Sequence, residues 1–272
     1  MNKLSLEKRI QILSMLVEGS SMRSTSRVCD VSINTVARYL DLAGKACWLY
    51  HDVHVRGIKG KRDVQCDEVW SYVYAKDRVA DWADPWDVAG SIWTFTALDA
   101  ASKLLISYML RQRRDARSAT VLMEDMASRL NKTPRLTADS LGAYRIAAAN
   151  VWGSKAKLSQ LRKGEDTDHN TAYVERHNLT IRMANRRFTR KTNAFSKTMA
   201  RHEAAMHLFA LHYNFCRIHQ TLRVTPAMEA GLTDTLYDMG WIVHLIESIT
   251  VPPKKPGPKL GTRYRPRSVR IQ

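Results

Sequence analysis

The sequence predicts an α/β domain preceded by a small all-α unit, and three observations point to it. Runs rich in aromatic and β-branched residues at 64–75, 91–99, 103–110 and 135–138 have the length and composition of strands. Apolar residues at helical spacing fill 116–130 and the stretch beyond 196. The first 50 residues carry helical periodicity alone, broken at Gly19-Ser20-Ser21 and at Asp30-Val31.

The first helix follows from Leu6, Ile10, Leu13, Leu16 and Val17, with Ser5 as N-cap. A second spans roughly Met22 to Cys29, and a third runs from the N-cap Ser32 to Gly44, where glycine is expected to stop it. This is the rhythm of a helix-turn-helix. Ile33, Val36 and Leu40 would pack inward. Asn34, Thr35, Arg38 and Tyr39 would face a major groove, Asn and Arg on base edges and Thr and Tyr on phosphate. The alternative is a three-helix packing unit that touches no DNA. Residues 1–50 form this domain, 51–63 a basic linker, 64–250 the α/β domain and 251–272 a basic, proline-rich tail.

The strand from Val64 to Ala75 contains Asp67-Glu68, and carboxylates are depleted from strands. Either the pair faces water at an edge, or Asp67 is a metal ligand on a rigid element. Asp99 lies beside a turn between the next two strands, where an Asx-type backbone role is expected. After the amphipathic helix 116–130, a short strand Arg135 to Ala138 delivers Asp139 to its carboxyl end, the usual place for site residues in α/β sheets. A helix through Ala149 follows. The segment 155–164 fits a final strand or an ordered loop. From Asn170 to Arg187 a helix is expected to place Glu175, Asn178, Leu179 and Arg182 on one face, with Arg186 a turn beyond; Glu165, Asp166 and Asp168 would serve its N-terminus.

Composition bounds the partners. Forty-three Lys and Arg against 26 Asp and Glu give a formal charge of +17, the footprint of a polyanion binder, with nucleic acid first and an anionic membrane second. No run of about 18 apolar residues and no secretory h-region occurs, so a cytoplasmic, DNA-associated protein without membrane insertion is expected. Cys29, Cys47, Cys66 and Cys216 form no CxxC pair and suit buried thiols.

Three acids therefore stand out on three elements: Asp67, Asp139 and Glu175, the last two separated by 35 residues. Hard oxygen ligands of this kind suit Mg²⁺, two ions with Mn²⁺ as a substitute, which activate an attacking oxygen and stabilise a leaving one at a phosphodiester.

The motifs CDEVWSYVYAKDR at 66–78, LTADSLGAY at 136–144 and YVERHNLTIRMANRRFTRKTNAFSK at 173–197 resemble the DDE transposases of bacterial insertion sequences, most closely the group of the first-described insertion sequence. YNFCRIHQTLRVTPAMEAG at 213–231 is similar to the closing segment of several such domains. Unlike that group, the chain has no cysteine motif ahead of its helix-turn-helix, and its Asp139 to Glu175 interval is longer. The resemblance implies an RNase H-like mixed sheet flanked by helices, with Asp67, Asp139 and Glu175 as the catalytic, metal-binding triad. It also implies that Arg182 holds the donor end of the DNA.

Asn178 would orient Glu175 or touch DNA, His177 would pack or meet phosphate, and Arg186, Arg187, Arg190 and Lys191 would continue a phosphate track or a solvated face. The function this implies is binding of element ends, metal-dependent DNA cleavage and strand transfer by a homodimer or larger assembly on double-stranded DNA. The alternative is a non-catalytic DNA-binding regulator or an inactive domesticated relic.

Overall fold

The computed structural model describes residues 4–83, 89–160 and 170–250. The acidic patch Glu165, Asp166 and Asp168 and the tail from Pro252 lie outside the described residues.

Three helices open the chain: α1 (Leu6–Val17), α2 (Met22–Val28) and α3 (Ile33–His54). α1 and α3 start on the serines expected from sequence, Ser5 and Ser32, which accept hydrogen bonds from the Lys8 and Thr35 backbone N–H groups, and Ser21 caps α2 in the same way through the Ser24 N–H. Gly44 does not end α3, which continues for ten more residues. Its glycine answers a packing need instead: a Cβ there would fall 2.4 Å from the Cβ of Ala204 on α8 (Met199–Leu211), so the two helices can cross this closely only without it. Helical structure thus extends across residue 50 and into the stretch expected to be a linker. Val36 and Leu40 are buried as expected, but Ile33 is 42% exposed.

The sheet comprises β1 (Asp63–Val73), β2 (Gly90–Asp99), β3 (Leu105–Arg111), β4 (Arg135–Ala138) and β5 (Lys157–Gln160), with a short helix α4 (Asp77–Ala83) between β1 and β2. The order is β3-β2-β1-β4-β5. β1–β2 and β2–β3 are antiparallel; β1–β4 and β4–β5 are parallel. This mixed sheet flanked by helices is consistent with the RNase H-like α/β fold. The undecided segment 155–164 supplies β5. Asp99 is buried and caps its turn through bonds from the Ser102 backbone N–H and hydroxyl, the Asx role expected of it.

Two cores lie on opposite faces. Val64 and Cys66 of β1 join Phe95, Ala97 and Ala138 in a core with α5 (Ala116–Arg129), α6 (Gly142–Trp152) and the N-terminal helices. Val69 and Val73 join Ile92, Leu98 and Leu110 in a second core with α7 (Ala172–Ala184) and α8. The two-residue period of a strand produces this division. Beyond α8 a π-helical turn (His212–Cys216), the short α9 (Pro226–Glu229) and α10 (Met239–Ile249) close the chain. An ion pair from Arg9 of α1 to Glu247 of α10, 2.7 Å long, ties these two helices together. Among the described residues no helix is long and apolar enough to cross a membrane.

Candidate metal centre and nucleic-acid interface

β1 outruns β4. Their parallel pairing ends at Cys66↔Ala138, so the next residues, Asp67 and Asp139, stand side by side where β4 stops. Asp67 is on the α7 side of the sheet, and Glu68, one residue on, faces the α5–α6 side. At this unpaired margin the side chains converge again: Asp67, Glu68 and Asp139 each offer a carboxylate oxygen, all within 4.8 Å of one another.

On the α7 side, Gln65 ties the start of the helix down. Its amide donates to Asn170 O (2.6 Å) and accepts from the Val174 N–H (2.9 Å). One turn along, Asn178 is buried and donates from Nδ2 to Asp67 Oδ2 at 2.7 Å. The Thr96 hydroxyl, 3.3 Å from Asn178 Oδ1, sets which way that amide points. Burial raises the Asp67 carboxyl above its ordinary range; Asp139 and Glu175 add to this, while the Glu68 backbone N–H and Asn178 oppose it.

On the other side, Glu68 is enclosed, with a side chain 1% exposed. Arg114, in the loop before α5, donates to Glu68 Oε2 from Nε (3.1 Å) and Nη2 (2.9 Å), and from Nη2 to Asp139 Oδ2 (2.9 Å). The Trp93 ring lies 5.2 Å from the guanidinium. Burial raises Glu68 as well, partly offset by Tyr144 and Arg114. Glu68 Oε1 and the Tyr144 hydroxyl are both buried without a hydrogen bond of good geometry. Asp139 is half-exposed, and its Oδ1 accepts from the Leu141 N–H at 3.0 Å as α6 begins.

The donor set suits a hard divalent cation. All ligand atoms are carboxylate oxygens, a buried one lacks a partner, and crowding of like charge already works against ionisation of Asp67. Glu175 falls outside this cluster. It is exposed, accepts from the Thr171 hydroxyl at 2.5 Å, and lies one turn before Asn178, near enough to influence Asp67. Glu68, Arg114 and Tyr144 were not singled out by sequence reasoning. The one visible signal was a second acid next to Asp67 in an apolar strand.

The expected DNA-facing residues divide. Asn34 and Arg38 are exposed on α3; Thr35 and Tyr39 are partly covered, Thr35 by its cap with Ser32. Arg186 and Arg190 are exposed beyond the end of α7, which stops at Ala184 rather than Arg187. Arg182 is half-buried and donates to Trp70 O (3.3 Å) and Phe188 O (3.0 Å). Asn178 and Arg187 are 7% and 5% exposed, so in this arrangement neither offers a surface to DNA. Burial lowers Arg187 to about 10. His177 packs its ring 4.6 Å from that of Tyr213, and burial holds it neutral, down at about 3.

No protein-family model matches the sequence, and neither does any curated protein. Similar solved structures include the simian T-cell lymphotropic virus intasome in complex with PP2A regulatory subunit B56 gamma, 14% identical over 78% of this chain, with a TM-score of 0.39; this chain spans 60% of the length of that one. Others are the Mos1 strand transfer complex, 12% identical over 76% of this chain and 78% of that one, TM-score 0.28, and the Mos1 mariner paired end complex with Mn, 10% identical over 78% and 77%, TM-score 0.28.

Proposed function

We propose that the chain is a DNA strand-processing enzyme of the transposase type, which binds the ends of an insertion element, cleaves there with a divalent cation and transfers the cut strand into target DNA. The observation that carries this reading is the meeting of Asp67, Glu68 and Asp139 at the margin where β1 outruns β4. Asp67 and Asp139 would hold Mg²⁺ or Mn²⁺, with Glu68 beside them and Glu175 closing the site from α7. Bound there, the cation supplies activation of the attacking oxygen and stabilisation of the leaving oxygen of a phosphodiester.

The chain's own residues supply placement. Asn178 holds the Asp67 carboxylate in one orientation, and the Leu141 N–H does the same for Asp139. Arg182 lies within electrostatic reach of Asp67 and of Arg190. Asn34 and Arg38 would read base edges, and Arg186 and Arg190 would hold phosphates. Two element ends must be brought together, which calls for at least a dimer on DNA.

The test is cleavage of duplex DNA carrying the inverted repeats that flank the reading frame. Mg²⁺- or Mn²⁺-dependent nicking by the wild-type chain, lost in Asp139→Asn, is expected. Binding of that DNA without metal-dependent cleavage would replace this reading with a non-catalytic DNA-binding regulator.

A further inference from the structure

We infer that Arg114 is a resident counter-ion of the metal centre: Glu68 anchors it, and a divalent cation must displace it from Asp139 in order to bind. The inference rests on the metal-centre reading above and assigns a positioning residue that the triad does not contain.

Three features carry it. First, Arg114 is held unequally by its two acids. Two of its nitrogens reach Glu68, whose side chain is 1% exposed, whereas one reaches Asp139, whose side chain is 40% exposed. The Asp139 contact is therefore the one that yields, because water can replace it at small cost and the buried Glu68 cannot be left bare. Second, the contact occupies a ligand. Asp139 Oδ1 is already committed to the Leu141 N–H, and Oδ2 takes Arg114, so both oxygens of a carboxylate at the centre are engaged within the chain. Third, the charge favours the exchange. Three clustered carboxylates against one guanidinium leave a net negative charge that a divalent cation offsets. Arg114, seated over the Trp93 ring, stays on Glu68 after the exchange.

A residue that merely supports the fold would not restrain metal affinity, so removal of Arg114 separates the two roles. The experiment is titration of the DNA-free full-length chain with Mn²⁺ near neutral pH, free ion being followed by its electron paramagnetic resonance signal. Arg114→Gln is expected to bind Mn²⁺ about two- to fivefold more tightly than the wild type, the worth of one partly exposed ion pair. Arg114→Lys, which cannot bridge both acids as the fork of arginine does, should also bind more tightly, by a smaller factor. Asp139→Asn should bind more weakly than the wild type.

Unchanged or weakened affinity in Arg114→Gln that is folded at the temperature of the titration would overturn the inference. If that variant fails to fold, the same result in Arg114→Lys overturns it. Mn²⁺ binding that Asp139→Asn abolishes and Arg114 variants leave alone would sink the counter-ion role while sparing the metal centre. No Mn²⁺ binding by any of the chains would sink both.

Discussion

On the α7 side of the sheet Asp67 is held by a neutral amide, Asn178; on the α5–α6 side the adjacent residue, Glu68, is held by a guanidinium, Arg114. Both carboxyls are pushed up by burial, and the difference lies in what offsets the cost. A hydrogen bond from an amide orients Asp67 without cancelling its charge. A cation neutralises Glu68. The first acid is thereby left as an uncompensated negative charge at a place that water and ions can reach, while the second serves as the anchor of an arginine. A metal centre needs the former.

The comparison can be broken on either side. The largest effect is expected at the two acids that would hold the ion: Asp67→Asn or Asp139→Asn should lower metal-dependent cleavage by about 10³-fold, equivalent to about 4 kcal/mol of lost transition-state stabilisation. Cleavage rates at saturating Mg²⁺ check this. Next comes the compensated side. Arg114→Leu should destabilise the metal-free chain by about 1–2 kcal/mol in urea unfolding, since it strands a buried carboxylate while losing a partly exposed pair. A double variant with Glu68→Leu should recover part of that loss.

Asn178→Ala should cost about 1.5 kcal/mol in the same measurement, the lower end of the worth of a hydrogen bond to a charged group. The smallest effect is on pH dependence. With the carboxyls of Asp67 and Glu68 raised, the folded chain binds protons more tightly there than the unfolded chain. Stability in chelator should therefore rise as pH falls from neutral toward the ordinary carboxylate range, and fall as pH climbs through the raised values. Asp67→Asn should flatten that slope and raise the melting temperature at neutral pH.

Local features of the fold were legible because they depend on local chemistry. Ser5 and Ser32 announced their helices by capping, Asp99 its turn, and aromatic and β-branched composition the strand β1. Asp67 and Asp139 were legible as acids where strands seldom carry them or just as a strand ends. What escaped were decisions made between distant segments. Gly44 looks like a stop signal until Ala204, 160 residues later, is seen against it. Glu68 looks like a second edge acid until Arg114 and Tyr144 close over it. Arg187 belongs to a basic run and would be placed on a solvated track, yet it lies buried near Leu16, Val17 and Leu40 of the N-terminal helices.

The most direct test of the metal centre is X-ray diffraction at the manganese absorption edge from crystals soaked in Mn²⁺. The expected result is an anomalous peak at coordination distance from carboxylate oxygens of both Asp67 and Asp139, with Arg114 withdrawn from Asp139 and still on Glu68. Full occupancy of the Arg114–Asp139 contact with no peak beside Asp67 at saturating Mn²⁺ would contradict the account.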